Sequence, residues 1–160
     1  EDAAAIKSVF VSEPMLEPLM NSDAYIENGD GRIAPVVWLK WCWDGYLSAL
    51  PGGVEAARAD PRCCPHLHKP KVLPGQTPPH QLVVTSLGDP LRDDGRAYVR
   101  TMRDAGIPIT HIETRGAHGI GLMFDKAAGE AVMDAFEALL RGKEPTVPGD
   151  LTPDRGNGNP

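Results

Sequence analysis

A chain of 160 residues that is 41% hydrophobic and 24% charged has the composition of one globular domain with its own core. Its formal net charge of -6, with 16 Lys and Arg scattered among 22 Asp and Glu, argues against nucleic-acid or anionic-membrane partners, which need clustered basic side chains. No run approaches the roughly 18 apolar residues of a membrane span, and the opening Glu1-Asp2-Ala3 lacks the basic and apolar regions of a signal peptide.

Residues 6–11 form a short apolar, β-branched run ended by Glu13-Pro14, the pattern of a strand buried on both faces. Residues 21–35 are polar and glycine-rich around Glu27-Asn28-Gly29-Asp30-Gly31, so they read as a loop. Over residues 37–50, Trp38, Trp41, Cys42, Gly45, Tyr46 and Ala49 recur at helical spacing, and Pro51-Gly52-Gly53 stops the helix. Its aromatic face is expected to pack as core rather than to line an acyl pocket.

Residues 61–79 are rich in proline and turns. They contain Cys63-Cys64-Pro65-His66-Leu67-His68, four metal-ligand side chains packed more tightly than zinc sites usually space them and followed by no second cluster. No metal is expected there, although a small metal-binding module is the reading those four residues would carry. Three cysteines, two of them adjacent, make no disulfide framework and lean toward a reducing, cytoplasmic compartment. The compartment is otherwise open, because a targeting segment upstream of residue 1 would not be visible.

Residues 82–85 predict a second buried strand, and residues 89–105 a helix. Asp89 suits the N-cap, Pro90 the first helical position, and Asp93 and Asp94 the positive end of the dipole as surface charges. Gly106 and Pro108 end that helix. Residues 109–114 predict a third strand, residues 115–121 a loop, and the spacing of Ala128, Ala131, Val132, Ala135, Phe136, Leu139 and Leu140 a last amphipathic helix. Alternating strands and helices imply an α/β fold with a parallel sheet. The domain spans residues 1–143, and residues 144–160, with four prolines and three glycines, read as a disordered tail.

In such a sheet, functional groups collect at the carboxyl ends of the strands. Asp89 follows the second strand and His118 the third, so neighbouring strands bring both to one rim, where an acid holds an imidazole in the tautomer that accepts a proton. Taken singly, Asp89 is also a helix cap and His118 a surface-loop histidine. The remaining histidines, His66, His68, His80 and His111, read as solvated.

The stretch from Leu82 through Gly88-Asp89-Pro90-Leu91-Arg92-Asp93-Asp94-Gly95, then Tyr98, Arg103-Asp104-Ala105-Gly106-Ile107-Pro108 and Gly116-Ala117-His118-Gly119, resembles the C-terminal signature of the hormone-sensitive-lipase-like esterases. These have the α/β-hydrolase fold. The resemblance covers roughly residues 5–142 and extends to Val9–Met15 and Trp41–Leu47. It implies the C-terminal portion of an α/β-hydrolase, a short parallel sheet of about three strands with flanking helices. It makes Asp89 the triad acid and His118 the general base; their separation of 29 fits the family's interval, and acid before histidine fits its order of serine, acid, histidine.

Two features depart from that family. Ile120 stands where Phe commonly follows His-Gly, and there is neither a Gly-x-Ser-x-Gly elbow nor a His-Gly-Gly-Gly oxyanion motif; the serines at 8, 12, 22, 48 and 86 lack the flanking glycines. The resemblance therefore implies a serine esterase, lipase-like and without metal or organic cofactor, present as a fragment that is inert alone because the bond-forming group and the oxyanion donors are missing. Its partners would be a small ester substrate in the complete enzyme and a complementary N-terminal half. The alternative is a noncatalytic remnant that associates through the open sheet edge at residues 6–11.

Overall fold

The computed structural model describes residues 6–31 and 33–151. Three strands, β1 (Ser8–Ser12), β2 (His80–Ser86) and β3 (Ile109–Thr114), lie side by side in the order β1-β2-β3, all parallel. Phe10 pairs with Leu82 and Val84 with Ile112. Helices flank the sheet, so the expected α/β architecture is the one observed. β2 runs longer than its apolar stretch because polar end residues find partners: His80 Nε2 lies 2.9 Å from Thr110 Oγ1, and Tyr98 donates its hydroxyl to Gln81 Oε1 at 2.7 Å.

The two faces of the sheet differ in chemistry. Leu82, Val84 and Ile112 form the main core with Ala128, Ala131, Val132, Ala135 and Leu139 of α6 (Lys126–Leu140). Each larger aliphatic side chain buried there contributes roughly 1.5–3 kcal/mol. The opposite face meets α4 (Arg92–Asp104) with polar groups paired on site: Arg96 binds Glu113, and Thr85 Oγ1 bonds both His111 and Glu113. Helix α4 lies close on β2 because position 95 is glycine; a Cβ there would come within 2.5 Å of Thr85 Cγ2.

Several sequence expectations change. β1 is a half-exposed strand rather than one buried on both faces, because among the described residues it pairs with β2 alone. The loop expected over residues 21–35 contains α1 (Asp23–Asn28), held from outside itself: Asp93 accepts the Ala24 amide at 2.8 Å and Asp94 the Tyr25 hydroxyl at 2.9 Å. Helix α2 (Val36–Leu47) buries Leu39 and Trp43, four residues apart, and leaves Trp38, Trp41 and Tyr46 exposed. The aromatic stripe is thus not core. A further short helix, α3 (Gly53–Ala59), follows it, and α5 (Ile120–Phe124) begins directly after His118-Gly119.

The predicted tail also divides. Gly149–Leu151 form a 3-10 turn, Leu151 is buried in the main core, and Val147 packs against it. An apolar side chain finding uncovered surface outweighs the proline-rich composition around it. The rest of the predicted tail, residues 152–160, lies outside the described residues.

Candidate active site

Asp89 and His118 sit on turns that follow neighbouring strands, so the strand order brings both to the carboxyl edge of the sheet. The turns are tied to each other: the Leu87 amide donates to Thr114 O at 3.0 Å and the Gly88 amide to Gly116 O at 2.7 Å. That approach requires glycine at 88, since a Cβ would lie 2.8 Å from the Gly116 carbonyl oxygen. On the acid side, Asn28 Nδ2 donates to Asp89 O at 3.3 Å and Arg92 Nη1 to Leu87 O at 3.2 Å.

Asp89 is completely buried and divides its carboxylate between two donors: Oδ1 accepts the Leu91 amide at 2.9 Å, and Oδ2 lies 2.9 Å from His118 Nδ1. The N-cap reading of Asp89 is corrected here, since α4 starts only at Arg92 and Asp89 closes the turn before it. A carboxylate only accepts, so Nδ1 carries the proton and Nε2 keeps its lone pair. The hydrogen bond to Asp89 holds the His118 imidazole above its ordinary basicity, against an opposing effect of burial. The ring stays 30% exposed. An imidazole held this way can take a proton from a hydroxyl or from water.

A second acidic group completes the cluster. Glu13 stands one residue past β1 with φ at +44°, and its amide donates to Val84 O at 2.8 Å, so the strand pairing carries it to the same edge. Its carboxylate accepts the Ser86 hydroxyl and, at 2.7 Å, the Gly119 amide, and lies 3.7 Å from His118 Nδ1. Ser86 in turn shares a hydrogen bond of 2.7 Å with Thr114. Sequence reasoning took Glu13 only as part of a strand terminator. A glutamate at the carboxyl end of a strand beside two site-bearing strands was the available signal.

The model of the alpha/beta hydrolase fold family matches residues 1–120 of the 160. The chain belongs to that family. Arylacetamide deacetylase of Rattus norvegicus is 32% identical over 80 residues, 46% of this chain and 20% of the deacetylase. Among solved structures, a mutant of the esterase rPPE is similar at 26% identity and a TM-score of 0.70, covering 86% of this chain and 42% of that one. Brefeldin A esterase, a bacterial homologue of human hormone sensitive lipase, shares the fold at 22% identity and a TM-score of 0.61, over 86% of this chain and 38% of its own. The chain thus spans less than half the length of these relatives, and the two solved structures named above are esterases.

Elsewhere in this α/β-hydrolase chain, other singled-out residues have structural partners. Cys63, Cys64, His66 and His68 do not converge: Cys63 Sγ meets Tyr46 Oη at 3.2 Å, His66 Nε2 meets Glu17 at 3.3 Å, and His68 Nε2 meets Arg58 O at 2.7 Å. Burial pushes the Cys64 thiol up to about 11, so it holds its proton at neutral pH. Among the described residues, Glu13, Asp89 and His118 form the one group of potential metal ligands within mutual reach. Their facing atoms are already engaged with amide, hydroxyl and imidazole donors. Asp94 is not the surface charge it resembles in the sequence: it is buried and accepts the Leu16 and Glu17 amides, each at 2.9 Å. His66 and His111 are likewise buried rather than solvated.

Proposed function

We propose that this α/β-hydrolase chain supplies the acid and the base of a serine-dependent carboxylic ester hydrolase. The observation that carries the reading is the 2.9 Å contact between buried Asp89 and the partly exposed His118. In the complete site, His118 Nε2 takes the proton of the attacking serine hydroxyl and returns it to the departing alcohol. Asp89 keeps the proton on Nδ1 and stabilises the imidazolium. The esterases among its solved neighbours support a small ester as substrate.

The nucleophile and the oxyanion donors come from a second segment. None of the five serines has an elbow's glycines, and Ser86, the one within the site, is buried and donates to Glu13. That segment is a complementary N-terminal half, added next to β1, whose outer side carries no strand among the described residues. The test is hydrolysis of a short-chain chromogenic ester by the chain alone and mixed with a hydrolase N-terminal half. Turnover is expected only in the mixture, reduced roughly 10³–10⁴-fold or more by His118→Ala or Asp89→Asn. Turnover by the chain alone would defeat the split-site reading, and so would an assembled mixture indifferent to His118→Ala.

A further inference from the structure

The cluster holds one more charged group than a proton-accepting pair needs. Glu13 is buried, adopts a left-handed backbone conformation that non-glycine residues seldom take, and spends both carboxylate oxygens on the site. One oxygen accepts Ser86 at the end of β2; the other accepts the amide of Gly119, the residue directly after His118. Hydrogen bonds to a charged acceptor are roughly twice as strong as neutral ones, and this one fastens the backbone at the histidine itself. The same carboxylate lies 3.7 Å from the ring nitrogen that Asp89 holds at 2.9 Å.

We propose that Glu13 is a positioning residue of the proton-accepting pair: it fixes the His118 turn through the Gly119 amide and places a second fixed negative charge beside the imidazole. Asp89 then sets the tautomer by direct hydrogen bonding, while Glu13 sets the height of the turn above the sheet and adds to the stabilisation of the protonated ring. The charged groups that act on the ring are Asp89, from the turn after β2, and Glu13, from the end of β1. Arg115, on the histidine's own turn, is exposed. The role assigned to Glu13 in catalysis rests on His118 being the base, but its hold on the ring is measurable without any turnover.

The experiment is an NMR titration of the His118 imidazole in the ¹⁵N-labelled chain, comparing the wild type with Glu13→Gln. The amide keeps the shape and an acceptor for Gly119 while removing the charge. At under 4 Å, even with water-like screening, loss of that charge is expected to lower the His118 midpoint by roughly 0.5–1 pH unit. An unchanged midpoint in a well-dispersed variant would overturn the proposal. If Glu13→Gln does not fold, Glu13→Met is measured in its place; should neither fold while Glu13→Asp does, Glu13 belongs to the fold alone and the proposal fails. A split hydrolase that proves inactive while the midpoint still drops would remove the esterase reading and leave the Glu13–His118 coupling standing.

Discussion

At the scale of single residues, burial and hydrogen bonding set protonation in opposite ways at different positions. His118 is held above its ordinary pKa of 6.5, chiefly by Asp89. In the proposed role of general base His118 must be unprotonated, so the acid limb of kcat/KM in the reconstituted mixture is expected above pH 6.5. Asp89→Asn should move that limb to lower pH while lowering the plateau. A limb that stays put would detach Asp89 from the titration. Asp94 and His111 form a second test. Burial raises Asp94 from 3.8 to about 6, so the stability tied to its proton is complete below 3.8 and is lost as pH rises through about 6. Burial lowers His111 from 6.5 to about 4, so its contribution is complete above 6.5 and is lost as pH falls through about 4. Between pH 4 and 6 the two slopes oppose each other and flatten the wild-type profile. Relative to Asp94→Asn, the wild type should lose about 2–3 kcal/mol from pH 4 to 6.5, and relative to His111→Gln it should gain a similar amount. Urea midpoints at several pH values measure both; parallel curves would refute the assignment.

Among the elements, α2 shows how little a run of aromatic residues says about which side is buried. Trp38, Trp41 and Trp43 point around the helix, and only Trp43 shares a side with Leu39, so the hydrophobic pattern alone does not select a face. Trp43→Ala should cost about 3–5 kcal/mol by chemical denaturation, whereas Trp41→Ala should stay within about 0.5 kcal/mol. Equal losses would mean that the exposed side of α2 is covered in solution. The short helices α1 and α5 escaped the sequence reading for a related reason. Six- and five-residue helices are too short to be stable by propensity. What holds α1 is the pair Asp93 and Asp94, 69 positions away along the chain. By contrast β3 was legible to the residue, because its β-branched residues Ile109, Thr110, Ile112 and Thr114 are bounded by Pro108 and by Arg115-Gly116.

For the whole molecule, the sheet is a platform with an apolar underside against α6 and a polar face against α4, closed at one end by residues beyond α6. Leu151 joins the core from a segment whose composition looks disordered. Leu151→Ala should therefore destabilise the domain by about 2–4 kcal/mol in thermal or urea unfolding. A change below about 0.5 kcal/mol would return residues 144–151 to the status of a tail.

The amino-acid sequence by itself determined the alternation of strands and helices, hence the parallel sheet, and it marked Asp89 and His118 through motifs on consecutive strand ends. Those are local facts: periodicity, turn chemistry and the order of elements survive in a linear reading. It did not reveal Glu13, which reads as an ordinary strand stop and reaches the site only because register aligns β1 with β2 and the chain returns to Gly119, 106 positions later. Nor did it reveal that Asp94, His66 and His111 are buried. A charged or polar side chain looks solvated in a sequence, and only the tertiary structure supplies the amides, hydroxyls and carboxylate that let these three leave water.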